Sequence, residues 1–293
     1  MSLTHLGPDE IARRMYRGRQ AHCAARSPND FSAAHVEQFK EIGFVAIEDV
    51  FTPADVEAAK ASLSRLVAQG NPDVVSFEDA ANDRELSPDE REGYVRKIWH
   101  FVGHDAHLAA MSSHPVLVSI VERLLGSPVK LIQDMALLKP AHVGREKPWH
   151  QDNAYFVYQP LELVIGTWIA LDPATVENGC MHVIPGSHRD GPRPHFHDRD
   201  CQLSDDDVAV ERDVVVPLPP GGAMFFSSLL HHGTPPNRSP QRRRALQFHY
   251  ASVNCTTMSG AAHQALFEHD GRYAGCATYA TGGKLLPIAE RKI

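Results

Sequence analysis

The spacing of apolar residues changes near residue 129, from mainly helical to mainly β. Upstream, three segments combine helical spacing with a capping residue or proline at the start and a glycine at the end, which predicts three helices. They cover residues 32–42, 52–69 and 115–125, and a short strand is predicted at 44–47. Residues 1–30 are polar and Arg-rich and predict a short helix or a loose arm. The acidic residues 71–95 predict a surface loop or a broken helix.

Downstream, short apolar segments alternate with turns rich in Gly, Pro and Asn, which predicts roughly eight strands. Seven such segments are residues 130–138, the segment around His150, and residues 163–171, 181–184, 213–218, 223–230 and 244–252. Strands of this number and length predict a double-sheet jelly roll, mainly β with flanking helices. Residues 189–212 interrupt the pattern with a long polar stretch, which we interpret as a mobile active-site lid.

These patterns predict one domain over residues 1–293. It would consist of an N-terminal arm (1–30), a mainly helical support (31–128), the jelly-roll core (129–255) with its lid insertion, and a C-terminal extension (256–293). An apolar content of 43% in 293 residues is ample for a core of this size.

Composition excludes several classes of partner. The net charge of −7 argues against nucleic acids and anionic membranes, which require basic surfaces. No secretory signal is visible, and no apolar run approaches the length of a membrane span. The cysteines are odd in number and scattered, so neither a zinc cluster nor a disulfide framework is expected and a reducing cytoplasm fits best. They are Cys23, Cys180, Cys201, Cys255 and Cys276.

The strongest candidate chemistry lies in the segment Trp149-His150-Gln151-Asp152. Residues i and i+2 of a strand project to one face, so His150 and Asp152 at a strand end can aim an imidazole and a carboxylate at one point. A second imidazole from a distant strand would complete the 2-His-1-carboxylate set of non-haem Fe(II) oxygenases. His231 and His232 compete for that position. Neighbours on a strand face opposite ways, and periodicity does not choose between them.

The chain contains a second His-x-Asp triplet, His188-Arg189-Asp190. It follows the turn Pro185-Gly186-Ser187 and precedes Gly191-Pro192. A triplet between such turns does not lie within a strand, so we predict that it is not a metal site.

Several motifs together resemble the phytanoyl-CoA dioxygenase (PhyH-type) family. They are His150-x-Asp152, the turns Asn178-Gly179-Cys180 and Pro185-Gly186-Ser187-His188, and His232-Gly233-Thr234 with arginines downstream. The resemblance covers roughly residues 30–255. It implies an Fe(II)- and 2-oxoglutarate-dependent oxygenase on a double-stranded β-helix, the cupin-like form of the jelly roll.

The resemblance also implies individual roles. In the family the distal iron ligand immediately precedes a glycine, which selects His232, and the arginine eleven residues beyond it, here Arg243, binds the far carboxylate of 2-oxoglutarate. Arg242 and Arg244 flank it and remain alternatives. The need for an arginine also follows from physics. A carboxylate inside an apolar barrel is costly unless paired, and a guanidinium offers a bidentate, charge-assisted partner.

Further residues are expected around the co-substrate and the substrate. Those expected to line the co-substrate pocket are Lys97, Trp168, Gln133 and Met135. Tyr155 and Phe156, just past the iron pair, are expected to face the substrate. His195 and His197 are predicted to be exposed. His249 is predicted to be a satisfied core histidine, with the support of a metal ligand as the alternative.

The implied reaction consumes O₂ and 2-oxoglutarate, releases succinate and CO₂, and hydroxylates an unactivated C–H of a small-molecule metabolite. A carboxylate at Asp152 fits hydroxylation, desaturation or ring closure, because halogenating relatives have a small residue there. Two alternatives remain. One is a cupin-like metal enzyme that uses no 2-oxo acid and therefore has no need of Arg243. The other is a non-catalytic binding module on the same fold. The substrate and the oligomeric state do not follow from the sequence.

Overall fold

The structure, a computed structural model, describes residues 3–22, 24–82, 84–268, 279–280 and 284–285. Its α-helices are α1 Pro8–Met15, α2 Ala33–Ile42, α3 Pro53–Gln69, α4 Pro88–Glu92, α5 Ala106–Ser112, α6 Pro115–Leu125 and α7 Gly260–Phe267. Its strands are β1 Phe44–Ile47, β2 Val75–Phe77, β3 Val95–Trp99, β4 Val129–Lys139, β5 Lys147–His150, β6 Tyr158–Gln159, β7 Val164–Ala170, β8 Met181–Val183, β9 His195–His197, β10 Cys201–Leu203, β11 Val214–Val216, β12 Ala223–Ser227, β13 His232–Thr234, β14 Arg243–Ser252, β15 Thr256–Thr257, β16 Tyr279–Ala280 and β17 Lys284–Leu285.

Two antiparallel sheets form the jelly roll that the turn-rich strands predicted. The larger sheet has the order β1-β12-β7-β14-β4-β3-β2 and the smaller has the order β11-β8-β13-β5. The long strands β4 and β14 pair along most of their length, with Arg243 opposite Lys139 and His249 opposite Gln133. Because alternate residues share a face, Arg243, Gln247 and His249 all project to the same side of β14, apart from a register shift after His249.

The helices cover the outer face of the larger sheet. Apolar residues of α2, α3, α5 and α6 pack with β7, β12 and β14 in one buried cluster. The helix start predicted at Thr52 is confirmed, because the Thr52 side chain accepts a hydrogen bond from the Asp55 amide at 3.2 Å. Gly43 and Gly126 end α2 and α6 in the left-handed conformation, which glycine adopts without steric cost. The inner face of the sheet is thereby left for the site.

Of the two alternatives predicted for residues 1–30, the short helix is confirmed: α1 buries Ile11 and Met15, and the Trp149 indole donates a hydrogen bond to the Met15 carbonyl at 2.8 Å. The prediction for the next polar segment is corrected. Residues 71–95 are not a mere surface loop, because they contain β2 and α4 and lead into β3, which adds to the larger sheet. These short strands were not predicted, because the segment is acidic and its strands pair with strands that are distant in sequence.

Residues 189–212 form a folded segment built on the β9–β10 hairpin, which lies against β5. His195 is only 1% exposed, so its predicted exposure is wrong, whereas His197 is exposed as predicted. Leu203 and Val208 pack with Trp149 beside α1. The polar composition misled the prediction because several of these polar groups are buried in hydrogen bonds and ion pairs.

Two predictions from composition also need revision. The stretch Ala106–Leu125 is long and apolar enough, by length and composition, to cross a membrane, although no such run was expected. It consists of α5, a turn and α6, and core helices often meet the same criterion. Cys180 and Cys255 are free thiols, but Cys201 is disulfide-bonded, contrary to expectation. The described residues do not include Cys23, Cys276 or most of residues 269–293, the last part of the predicted C-terminal extension.

Candidate metal centre and co-substrate pocket

The smaller sheet brings the three candidate ligands together. His150 is the last residue of β5, and Asp152 begins a 3₁₀ turn immediately after it. His232 is the first residue of β13 and pairs directly with His150 in the β5–β13 register. The predicted position at a strand end is thus observed. It frees the Asp152 side chain from the strand's alternation and lets it turn toward both histidines.

The ligand atoms are close and correctly oriented for a shared cation. His150 Nε2 lies 3.3 Å from Asp152 Oδ1, and His232 Nε2 lies 3.6 Å from Asp152 Oδ2. The Nδ1–H of His150 donates to the Pro148 carbonyl at 2.8 Å, and that of His232 donates to the Leu230 carbonyl at 3.0 Å. A carbonyl only accepts, so each Nε2 keeps its lone pair for a metal.

The donor set and its spacing fit one iron ion. Cis ligands bound at about 2.1 Å lie about 3 Å apart. The three ligand atoms, one from each residue, lie within 4.8 Å of one another, so each would have to move only a little to reach one ion. Among the described His, Cys, Asp and Glu residues, these three form the group whose ligand atoms lie close enough together to hold a metal ion. Burial lowers the pKa of His232 to about 3 and also lowers the pKa of His150, so both rings are neutral at physiological pH. Three ligands on one side leave open positions on the other, as oxygen chemistry requires.

Two side chains from β14 support the carboxylate. His249 Nε2 lies 2.7 Å from Asp152 Oδ2, and Gln247 Nε2 donates to the same oxygen at 3.3 Å. Burial opposes the charge of Asp152, yet the facing His232 and His249 rings hold its pKa well below the ordinary value. His249 is therefore buried in the core as predicted, and it also has the alternative role considered for it, the support of a metal ligand. The two-residue alternation from Arg243 through Gln247 to His249 was the signal that could have found both residues.

A turn between two strands decides which of the adjacent residues His231 and His232 can be the ligand. The strand predicted over 223–230 ends at Ser227, and the chain turns before β13 begins at His232. His231 is buried on the other side, where its amide donates to Ser187 Oγ at 2.8 Å. The two-residue alternation of side chains does not continue from residue 223 to residue 232, because the strand β12 ends at Ser227. The triplet at His188 lies in a 3₁₀ turn, as its flanking turns predicted, and not in the metal-binding group.

A cavity of about 140 Å³ adjoins the three ligands, and Arg243 lies at its far end. Arg243 is 2% exposed, and its Nε and Nη1 have no hydrogen-bond partner. Its flanking arginines are both paired elsewhere: Arg242 with Glu92 at 2.7 Å on the surface, and Arg244 with both oxygens of Asp172 at 2.8 and 2.9 Å. Of the three candidates, only Arg243 offers free donors to a carboxylate in the cavity.

The other predicted co-substrate residues all line this cavity. The Arg243 guanidinium lies 5.0 Å from the centre of the Trp168 ring, a cation–π contact. Gln133 and Met135 project from β4, and Lys97 projects from β3 with its ammonium 4.8 Å from the Trp99 ring. Burial, and then the nearby charge of Lys147, lower the pKa of Lys97 to about 7. Their roles toward a co-substrate stay predictions.

Of the two predicted substrate-facing residues, only Tyr155 lines the cavity. Its hydroxyl accepts a hydrogen bond from Lys147 Nζ at 2.8 Å, and its ring meets the His150 ring edge-on. Lys147 also contacts Asp200 at 3.1 Å and the Cys201 carbonyl at 3.2 Å, so all three of its N–H donors are used. Phe156 is buried against His249 instead, contrary to the prediction.

Gln151, the residue between two ligands, was not singled out from the sequence. Its amide donates to His195 Nε2 at 2.9 Å, and its side chain donates to the Leu229 carbonyl at 2.8 Å. Its side-chain oxygen accepts from the Arg193 amide at 2.8 Å. The segment 189–212 therefore fixes the peptide that joins His150 to Asp152.

Comparison with known proteins gives concordant results. The phytanoyl-CoA dioxygenase (PhyH) family model matches residues 39–245. The peroxisomal phytanoyl-CoA dioxygenase of Mus musculus is 28% identical over 231 residues, which cover 74% of this chain and 67% of that protein. The non-heme alpha ketoglutarate dependent carbocyclase SnoK superimposes with a TM-score of 0.65 at 22% identity, covering 90% of this chain and 96% of SnoK. The epimerase SnoN, solved with Fe3+, alpha ketoglutarate and nogalamycin RO, gives 0.64 at 22%, covering 87% and 94%. At these identities the two structures bear on the fold, which they share.

Proposed function

The chain belongs to the phytanoyl-CoA dioxygenase (PhyH) family and is an Fe(II)- and 2-oxoglutarate-dependent dioxygenase, and we propose that it hydroxylates an unactivated C–H of a small-molecule metabolite. We assign the iron to His150, Asp152 and His232. When bound, iron and 2-oxoglutarate supply the oxidising power, consuming O₂ and yielding succinate and CO₂.

The observation that carries the assignment is the unpaired guanidinium of Arg243. A buried cation without an anion is costly, and two of its nitrogens, Nε and Nη1, have no hydrogen-bond partner. The far carboxylate of 2-oxoglutarate would satisfy them with charge-assisted hydrogen bonds. A cupin-like enzyme that uses no 2-oxo acid would have no use for such a group, and a binding module would have no use for three convergent ligands.

The protein's own contribution is orientation and a dry cavity. His249 and Gln247 fix one oxygen of Asp152, and the two backbone carbonyls fix both histidine rings. Tyr155 accepts from the Lys147 ammonium, so its own O–H remains to donate to a substrate oxygen. Burial raises the pKa of Tyr155, which keeps that proton in place at physiological pH. We therefore expect a substrate with a hydrogen-bond acceptor near the oxidised carbon.

The test is a 2-oxoglutarate consumption screen of the purified Fe(II) enzyme against a metabolite library. Product masses distinguish hydroxylation, which adds one oxygen, from desaturation or ring closure, which remove two hydrogens. Before the screen, anaerobic Fe(II) and 2-oxoglutarate should give a charge-transfer absorption that His150→Ala abolishes and His188→Ala retains. A His150→Ala variant that still turns over 2-oxoglutarate would refute the assignment.

The remaining predictions concern the protein's setting. A small-molecule substrate, without nucleic acid or membrane partners, is part of the proposal because the net charge of −7 disfavours both of those partners. The cytoplasmic location expected from the sequence stays a prediction, and the disulfide at Cys201 counts against it.

A further inference from the structure

A second buried cation, Lys139, lies beside Arg243 at the end of the cavity. The two residues are direct cross-strand partners in the β4–β14 register, and both line the cavity. Lys139 is 4% exposed, although lysine is among the residues least often buried without a partner.

Lys139 crosses from the larger sheet toward the smaller one. Its ammonium donates to the carbonyl of Arg145, in the segment before β5, and to the carbonyl of Thr234 on β13 at 3.4 Å. An ammonium has three N–H donors, so one remains without an acceptor among the residues that the structure describes. Its side chain lines the cavity next to Arg243, where the co-substrate's far carboxylate would lie.

Neither cation has a carboxylate partner in the described part of the chain. The nearest acidic side chains are engaged by other groups: Glu78 by Arg145 at 2.7 Å, and Glu146 by Arg199 at 3.2 Å. Burial, and then the charge of Arg243, hold the pKa of Lys139 well below its ordinary value. Two like charges in a dry cavity repel each other, and one carboxylate between them would relieve both.

We propose that Lys139 is a specificity-determining residue for the co-substrate, acting as the second cation for the far carboxylate and as the end wall that limits the length of the 2-oxo acid. The proposal rests on 2-oxoglutarate being the co-substrate. It assigns Lys139 a role that differs from that of Arg243, because the Lys139 ammonium also reaches the carbonyls of Arg145 and of Thr234 on the smaller sheet.

The experiment measures dissociation constants for three 2-oxo acids with the anaerobic Fe(II) protein, by titrating the charge-transfer absorption. Pyruvate lacks the far carboxylate, 2-oxoglutarate has it, and 2-oxoadipate carries it one carbon further. Lys139→Gln keeps N–H donors for the two carbonyls but removes the charge. We expect it to weaken 2-oxoglutarate at least tenfold, about 1.4 kcal/mol, and to leave pyruvate unchanged. Lys139→Arg should restore most of the affinity for 2-oxoglutarate.

The end-wall role has its own variant. Lys139→Ala shortens the side chain, and we expect the affinity ratio of 2-oxoadipate to 2-oxoglutarate to rise at least tenfold. Arg242→Met is the matched control, because Arg242 adjoins Arg243 in sequence but pairs with Glu92 outside the cavity. It should change neither the affinity for 2-oxoglutarate nor the affinity ratio of 2-oxoadipate to 2-oxoglutarate.

Three outcomes are distinguishable. Equal losses for pyruvate and 2-oxoglutarate in Lys139→Gln would make Lys139 a structural clamp and overturn the proposal. Unchanged affinity for 2-oxoglutarate in that variant would also overturn it. Absence of 2-oxoglutarate binding by the wild-type protein would refute the 2-oxoglutarate-dependent function itself. If Lys139→Ala fails to fold by thermal melting, Lys139→Gln and Lys139→Arg still decide the question of charge.

Discussion

Replacing Arg243 with methionine should stabilise the ligand-free protein and abolish binding of 2-oxoglutarate. Burial lowers the pKa of Arg243 to about 10. At about 1.4 kcal/mol per pKa unit, the folded state bears roughly 3 kcal/mol for keeping this cation charged. Loss of the cation–π contact with Trp168 offsets about 0.5–2 kcal/mol of that gain. The net stabilisation is about 1–3 kcal/mol, or a rise of a few degrees in melting temperature.

The same prediction has a pH signature. Both the folded and the unfolded chain protonate Arg243 near neutrality, so the penalty is fully present there. It would diminish only as pH rises past about 10, where the folded state releases the proton before the unfolded state does. The difference in melting temperature between Arg243→Met and wild type should therefore be the same from about pH 6 to about pH 8.

The assay is a thermal melt of the metal-loaded, anaerobic protein with and without 2-oxoglutarate. At about a hundred times its dissociation constant, the ligand stabilises wild type by about 2.7 kcal/mol and leaves the variant unchanged, so the variant's advantage of about 1–3 kcal/mol is largely cancelled or reversed. Arg242→Met, an exposed neighbour with a 42% exposed side chain, should behave as wild type. A ligand-free Arg243→Met protein that melts below wild type, or one that is stabilised by 2-oxoglutarate, would refute the reasoning.

Three further changes test the support of the site. His249→Phe removes the hydrogen bond to the ligand carboxylate, so Fe(II) affinity should fall about 10–100-fold in a competitive chelator titration while the fold persists. Arg244→Met removes the bidentate partner of the buried Asp172 carboxylate and leaves it the Lys60 ammonium at 3.6 Å, so the free energy of unfolding should fall by about 1.5–3 kcal/mol in urea, with binding of 2-oxoglutarate unchanged. Gly166→Ala places a methyl group 2.4 Å from the Phe226 ring, which should cost about 1–3 kcal/mol and also weaken iron, because that ring packs on a ligand histidine.

Each of these has a control. His188→Phe should leave Fe(II) affinity intact, and equal loss in both histidine variants would remove the case for His249. Asp172→Asn with Arg244→Met should recover part of the stability lost by the arginine variant alone, because the buried carboxylate that lost its guanidinium is no longer charged and Lys60 keeps its ion pair with Glu57. Phe226→Leu replaces the ring with a smaller side chain and should restore the stability lost in Gly166→Ala. No rescue would mean that the glycine acts through another contact.

The sequence predicted the elements whose signals are local. Thr52 and the glycines that end α2, α3 and α6 were identified correctly, because caps act within a few residues. The buried strands around β7 and β14 were also found, because a continuous apolar or alternating run needs no knowledge of its partner. The ligand pair at His150 followed from two-residue spacing at a strand end.

The errors and the open alternatives occur where a residue's role depends on a distant partner. The support of a metal ligand by His249 stayed an alternative because nothing near it in sequence indicates Asp152, which lies almost a hundred positions earlier. His195 was predicted to be exposed because its surroundings are polar, and its acceptor role toward the Gln151 amide arises only in the fold. The choice between His231 and His232 needed the break after β12, which propensity alone did not indicate.

The contact between His195 and the Gln151 amide has a consequence for anyone who redesigns this enzyme. A long connection between two strands of one sheet is the natural piece to exchange when a new substrate preference is wanted, and residues 189–212, between β8 and β11, would be the obvious choice. Grafting a foreign loop there would also discard the group that holds the peptide linking His150 to Asp152. Chimeras that omit a histidine at position 195 should lose their iron before their altered selectivity can be measured.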